Sequence, residues 1–150
     1  MRAGFTLIEV LMVLAVALVV GALAAPRLLN IARMYKLKST AAFVGGAIQS
    51  TRYRAISDGY PYQIAFSSTG KSYQLTSDPE RDGTYANVGS AIPFTTSSDT
   101  VTINQNTTLK FSPSGLVVAT AGTTTITLTY NGSTATITVS PYGNVSVVYS

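Results

Sequence analysis

The chain contains no cysteine and no histidine. Without cysteine there is no disulfide to staple a fold, no thiolate nucleophile and no thiolate metal ligand. Without histidine the commonest general base and the commonest transition-metal ligand are both missing. Charge is scarce too, with 10 bases and 6 acids among 150 residues. The abundant serines and threonines thus have no histidine, cysteine or paired carboxylate to activate them. Such a set points to a protein that is not an enzyme, with no metal and no cofactor. An exported domain without disulfides must rely on its core, and the residues beyond the first apolar run suffice for one compact domain.

The chain does have a long apolar run near its start. Met1-Arg2-Ala3-Gly4 is a short basic leader, followed by Phe5-Thr6-Leu7-Ile8-Glu9, then uncharged residues from Val10 to Ala25, then Pro26 and Arg27. A secretory signal places its small-residue cleavage site after the apolar region. Here the cleavage point, after Gly4, precedes it, so cutting removes the leader and leaves the apolar helix on the mature chain. As a helix, Phe5 to Ala25 spans about 31 Å, which matches a hydrocarbon core of roughly 30 Å. Arg2 and Arg27 stand one on each flank, so the positive-inside rule gives no orientation.

Glu9 is the anomaly in this segment. A carboxylate this close to a membrane helix is a functional hypothesis by default. The plainer reading is an interfacial acid favoured by the helix dipole. Cleavage after Gly4 would create a free amine on Phe5, and Glu9 is expected to pair with the Phe5 amine of a neighbouring subunit and set register.

Charge divides the rest. Arg27, Arg33, Lys36, Lys38, Arg52 and Arg54 have no acid among them, whereas Ala55 to Ser150 carries Lys71, Arg81 and Lys110 against Asp58, Asp78, Glu80, Asp82 and Asp99. Beyond Pro26, which is expected to kink the helix without ending it, Leu37, Ala41, Val44, Ile48 and Ala55 form an apolar stripe at helical spacing. Gly45-Gly46 lets that helix pack closely on a sheet, and Gly59 is expected to stop it near Ser57-Asp58.

After Gly59 the period changes to two. Tyr62, Ile64 and Phe66, a turn from Ser67 to Lys71, then Tyr73 and Leu75 predict a hairpin. Ser77 to Thr100 reads as a long surface loop, crossed by a short strand near Ala91 to Thr95. Val101 and Ile103, then Leu109 and Phe111, suggest another pair of strands before a turn at Ser112-Pro113-Ser114-Gly115. Asn131-Gly132 is the favoured type I′ hairpin turn. It sets Leu128 opposite Ala135, Ile126 opposite Ile137 and Thr124 opposite Val139 on one face, with Thr125, Thr127, Thr129, Thr134, Thr136 and Thr138 on the other. A turn at Tyr142-Gly143-Asn144 leads to a last strand, Val145 to Tyr149. The fold class is α+β: a long N-terminal transmembrane helix packed on an antiparallel β-sheet head. Its parts are a leader at 1–4, a transmembrane assembly helix at 5–25, its amphipathic continuation at 26–58 and a β-rich head at 59–150.

The segment Gly4, Phe5, Thr6, Leu7, Ile8 and Glu9 with Pro26 resembles the signal of type IV pilins and the pseudopilins of type II secretion. Phe111-x-Pro113-x-Gly115, the threonine hairpin and Val139-Ser140-Pro141-x-Gly143-x-Val145 resemble the C-terminal region of GspH/FimT-type minor pilins. The resemblance implies cleavage after Gly4 by a prepilin peptidase and N-methylation of Phe5. It also implies an inner-membrane helix with the head in the periplasm, an assembly platform, a filament of pilin subunits and a head of two antiparallel sheets. The expected function is a minor pilin or pseudopilin that initiates or caps a secretion pseudopilus or type IV pilus.

Other readings stand beside it. Arg52-Tyr53-Arg54, with Tyr60 and Tyr62 nearby, mixes cations and aromatics as nucleic-acid sites do, and some FimT-type proteins act in DNA uptake. Phosphate binding, however, needs several cations together, and the head offers three scattered ones. A signal-anchored periplasmic binding domain would explain helix and head but not the segment from Gly4 to Glu9. Asp78-Pro79-Glu80-Arg81-Asp82-Gly83 begins like a calcium loop, but the twelfth position, which should carry a bidentate acid, is Gly89. The sequons at Asn106, Asn131 and Asn144 are explained by turn chemistry.

Overall fold

The computed structural model describes Gly4, residues 6–94 and residues 101–150, leaving aside the side chains of residues 23–26. Arg2, Phe5 and the end of the long loop, Thr95 to Thr100 with Asp99, lie outside the described residues, as does the Pro26 side chain. One helix, α1, runs from Leu7 to Asp58. It starts on Thr6, whose hydroxyl accepts the Glu9 N–H at 3.4 Å and whose carbonyl accepts the same N–H at 3.1 Å. Thr6-x-x-Glu9 is the S/T-x-x-E pattern of a helix start. The helix does not end at Pro26. It stops at Gly59, whose N–H still reaches the Ala55 carbonyl at 3.2 Å.

The chain divides into two compact units at Tyr35 and Lys36. In the first, Leu7 through Val20 is exposed on every side of the helix, with Leu7 at 77% and Leu18 at 73%. This helix is long and apolar enough to cross a membrane. In the second, Leu37, Ala41, Val44, Ile48 and Ala55 are all fully buried, as their spacing predicts. Thr51, which completes the stripe, is equally buried and returns its hydroxyl to the Ala47 carbonyl at 2.7 Å. A hydroxyl bonded to the preceding turn can occupy an apolar stripe without an unpaired group.

Among the described residues ten strands follow: β1 (Tyr62–Ser67), β2 (Ser72–Ser77), β3 (Ala86–Asn87), β4 (Ile92–Pro93), β5 (Thr102–Ile103), β6 (Thr107–Phe111), β7 (Val117–Ala121), β8 (Thr125–Tyr130), β9 (Ser133–Val139) and β10 (Val145–Tyr149). They form two antiparallel sheets. One has the order β3-β2-β1-β6-β7, with β4 also on β2, and the other the order β10-β9-β8-β5. One core cluster joins the helix stripe to Ile64 and Phe66 of β1, Leu109 and Phe111 of β6, Ile126 and Leu128 of β8, and Ile137 and Val139 of β9.

The β8–β9 register is the one set by Asn131-Gly132, with Ile126 opposite Ile137 and Leu128 opposite Ala135. The Val139 N–H meets the Thr124 carbonyl at 2.9 Å. Both turn residues have positive φ, 47° and 84°, which a type I′ turn requires. Two expectations change, and one strand, β7, was not expected at all. The described part of the segment from Ser77 to Thr100 holds the expected short strand, Ile92–Pro93, and a second, unexpected one, Ala86–Asn87, both paired with β2. The strands after Thr100 do not pair with each other, because β5 joins β8 and β6 joins β1. The strand β7 carries no alternation in Val117-Val118-Ala119-Thr120-Ala121, since it is a sheet edge with only Val117 buried.

Within the second unit, one flank of the helix touches the first sheet through Phe43, whose ring lies 6.0 Å from that of Tyr73. The opposite flank follows the second sheet. Lys38 Nζ lies 5.5 Å from the centre of the Tyr149 ring, and a Cβ at buried Gly45 would stand 3.6 Å from Val145 Cγ1. Gly45 thus gives the close approach its sequence suggests. Gly46, on the outer face, meets nothing.

Candidate functional site

The N-terminal site is built from the first turn of α1. Gly4 is exposed, and among the described residues a Cβ added to it would meet nothing beyond its chain neighbours within 4 Å. Phe5 lies outside the described residues. Glu9 sits in the helix's first turn, where its carboxylate complements the positive end of the dipole. With Val10, Val13 and Leu14 it lines a shallow groove, and it is the one charged residue there. A carboxylate set in such a surface binds a cation strongly once the surrounding apolar groups are covered, because little water is left to screen the pair. The sequence pattern was not read for Thr6 as the residue that caps the helix by accepting the Glu9 N–H. The three-residue spacing of Thr6 and Glu9 carried that signal.

The second place is the seam between the helix and the head. Arg52 is partly buried, and its Nε donates to the Gly115 carbonyl at 3.1 Å. Gly115 and Gly143 have φ of 81° and 79°, a region that L side chains rarely adopt. A Cβ on Gly143 would lie 2.4 Å from Arg52 Cδ. Arg52 therefore runs across both turns, Ser112 to Leu116 and Ser140 to Asn144. The turns are also joined directly, by the Val117 N–H on the Pro141 carbonyl at 2.9 Å. The glycines of Phe111-x-Pro113-x-Gly115 and Ser140-Pro141-x-Gly143 are thus places where an arginine on the helix passes close to the backbone.

This arrangement bears on the nucleic-acid reading. Arg52 and Arg54, two residues apart on a helix, project about 200° apart. Arg52 turns inward, while Arg54 stays exposed beside an open groove with Gln49, Tyr53 and Asp58. The head's cations are also engaged elsewhere: Lys110 Nζ lies 5.5 Å from the Tyr85 ring centre, and Arg81 donates to the Gly59 carbonyl. Arg52 and Arg54 therefore do not share one exposed face.

The acidic loop is built by hydrogen bonds. Asp78 is almost fully buried, and its carboxylate accepts the N–H groups of Asp82 at 3.2 Å and Gly83 at 3.0 Å. Each of its oxygens thus accepts one of the loop's own backbone N–H groups, which gives an acid before a glycine a structural part in the turn. Among the described residues no three acids form a metal-ligand group. Near the helix end, the Tyr62 hydroxyl donates to Asp58 Oδ2 at 2.7 Å. Burial, then the hydrogen bonds to Tyr60 and Asp58, push the Tyr62 phenol well above its ordinary pKa.

A capped, exposed apolar helix with one carboxylate, carried by an α+β head of two antiparallel sheets, defines a pilin-like subunit. Comparison with known proteins agrees. The family described as type II transport protein GspH matches residues 42–143, and the prokaryotic N-terminal methylation motif matches residues 1–25. The chain belongs to the GspH family and is a pilin-like pseudopilin. Among solved structures it is similar to the minor pseudopilin EpsH from the Type 2 Secretion System of Vibrio cholerae. That likeness has a TM-score of 0.58 at 11% identity and covers 75% of this chain and 96% of that one. At this identity it establishes the fold. No curated protein matches the chain.

Proposed function

We propose that this chain is a minor pseudopilin that helps initiate or cap a type II secretion pseudopilus. The observation that carries the reading is Glu9, a lone carboxylate on a capped helix whose other described side chains from Leu7 to Val20 are exposed and, apart from Gly21 beyond them, apolar. A prepilin peptidase cuts after Gly4, and Phe5 becomes the methylated N-terminus. The helix then holds the protein in the inner membrane, with the head in the periplasm, until the assembly platform moves it into the filament. There, Glu9 meets the Phe5 amine of a neighbouring subunit, and neighbouring helices cover the apolar surface. The GspH match and the EpsH-like fold support this role over a signal-anchored binding domain.

The experiment is Glu9→Ala in cells that carry the secretion machinery, with N-terminal sequencing of the product. Loss of filament incorporation with normal cleavage supports the reading. Normal incorporation overturns the role of Glu9, and an uncut Met1 start with the peptidase present overturns the pseudopilin pathway itself.

A further inference from the structure

Residues 27–35 of the helix match neither of its two main stretches. They are not apolar all round, as Leu7 to Val20 is apart from Glu9, and they are not a buried stripe, as begins at Leu37. They belong to the first unit, which ends at Tyr35, and all but Met34 are exposed. At 100° per residue, Ile31, Tyr35, Leu28, Ala32 and Leu29 fill one arc of the helix about 160° wide. Arg33, Asn30 and Arg27 fill the opposite arc, about 120° wide, with Met34 among them. Leu28, Leu29, Ile31 and Tyr35 are 59% to 76% exposed. An exposed apolar arc backed by a basic one is the pattern of a helix at a membrane boundary.

The basic arc has no acid to answer it in this unit. Glu9 is the one acid before Asp58, and it lies about 27 Å from Arg27 along the helix. Arg33 donates to a neutral acceptor, Asn30 Oδ1, at 3.4 Å. The next cations, Lys36 and Lys38, belong to the second unit and face its tyrosine rings, Tyr130 at 5.1 Å and Tyr149 at 5.5 Å. Depth agrees with charge. With Glu9 kept at one boundary, a hydrocarbon core of roughly 30 Å holds about 20 residues and ends near Leu29. Arg33 then stands about 6 Å beyond the far boundary, within a headgroup layer about 5–8 Å deep. Arg27 lies about 3 Å short of that boundary and reaches the layer by extending its long side chain.

We propose that residues 27–35 form a collar for anionic phospholipid, with Arg27 and Arg33 on headgroup phosphates and Leu28 and Ile31 at the acyl boundary. Charge decides the occupant. Packing against a second copy would cover the apolar arc and leave both arginines unanswered. Anionic lipids around the helix answer both arcs, with acyl chains on one and phosphates on the other. The collar rests on the membrane-anchored reading above and adds a lipid preference to it.

The chain has no tryptophan, so a single introduced one is a clean reporter. The full chain carrying Ile31→Trp is reconstituted into vesicles of equal phosphatidylglycerol and phosphatidylcholine, with bromine on the acyl chains of one lipid or the other. Brominated chains quench tryptophan on contact. Quenching should show a preference for phosphatidylglycerol of about fivefold or more, the factor that one basic residue near an anionic surface supplies. Adding Arg27→Gln and Arg33→Gln should bring the preference close to one, whereas Arg27→Lys and Arg33→Lys should keep most of it. Equal quenching by the two lipids overturns the proposal. So does Ile31→Trp that neither lipid quenches, the result expected if a second copy covers the apolar arc. Leu14→Trp, inside the span, separates the two kinds of failure. If it is quenched, the helix is inserted and a negative result at Ile31→Trp overturns the collar alone. If neither lipid quenches it, the membrane-anchored reading is overturned and the collar with it.

Discussion

One helix serves two environments in this protein. From Leu7 to Val20 it is apolar on every face apart from Glu9, and all those side chains are exposed. From Leu37 to Ala55 only one stripe is apolar, and that stripe is fully buried. A helix apolar all round needs a membrane or other helices, whereas a striped helix needs a single partner surface. The second stretch finds that partner in its own head. The first stretch finds none among the described residues, so its stability depends on what surrounds the chain.

The largest effect should fall where the partner is internal. Phe111 is fully buried beneath the helix, and Phe111→Ala should destabilise the head by about 3–5 kcal/mol in denaturant unfolding of the detergent-solubilised chain. Leu14→Ala, 54% exposed on the first stretch, should change the same transition by less than about 0.5 kcal/mol. If Leu14→Ala unfolds the head as Phe111→Ala does, the two stretches are not separate in what stabilises them.

The seam where stalk meets head gives the next effect. Arg52→Ala removes the bond to the Gly115 carbonyl and should lower stability by about 1–2 kcal/mol, a charged donor at a partly buried site. Gly143→Ala should lower it by roughly 2–3 kcal/mol, from a positive φ and a clash with Arg52. Because the clash needs the arginine, the double variant should lose less than the sum of the two. Additive losses in that cycle would mean that Arg52 does not hold the two turns.

Most of this fold was legible because period and turn chemistry agree. Leu37 to Ala55 at helical spacing, Asn131-Gly132 and the alternation around it place the helix stripe and the β8–β9 hairpin residue by residue. Thr51 escaped because a hydroxyl reads as polar until its bond to the preceding turn is seen. The strand β7 escaped because an edge strand buries one side chain and needs no alternation. At the site, the motif from Gly4 to Glu9 pointed to the helix start, but Arg52 was weighed only as a nucleic-acid contact. Its partner is a carbonyl 63 residues away, and no local pattern encodes such a contact. The same long-range closure separated β5 from β6, which adjoin in sequence and lie in different sheets.

A smaller effect, of opposite sign, is expected at Thr107. It is fully buried in β6, and its hydroxyl has no hydrogen-bond partner among the described residues. A buried polar group left unpaired lowers stability, and a methyl of the same shape does not. Thr107→Val should therefore raise the unfolding free energy by about 1 kcal/mol. A loss of stability would mean that the hydroxyl has a partner in solution, such as an ordered water. This is the head's counterpart to Glu9: a polar group without a side-chain partner among the described residues, here in a core instead of an apolar helix surface.

The smallest effect is a pH dependence at the end of the striped stretch, where Tyr62 donates to Asp58. Burial first, then the bonds to Tyr60 and Asp58, hold the Tyr62 phenol protonated above its ordinary pKa of 10.0. In the unfolded chain the phenol ionises near that ordinary value. Above it the unfolded state binds fewer protons than the folded state, so stability falls as pH rises. The contribution is thus fully present below about pH 10 and is lost progressively above it. Tyr73, raised by burial, adds a loss of the same sign. Denaturant unfolding from pH 8 to 11 should show this decline, and Tyr62→Phe should make it shallower while lowering stability at pH 8 through loss of the Asp58 bond. An equal decline in Tyr62→Phe would assign the alkaline sensitivity to the other tyrosines and leave the Asp58–Tyr62 pair with a purely structural part in closing the helix.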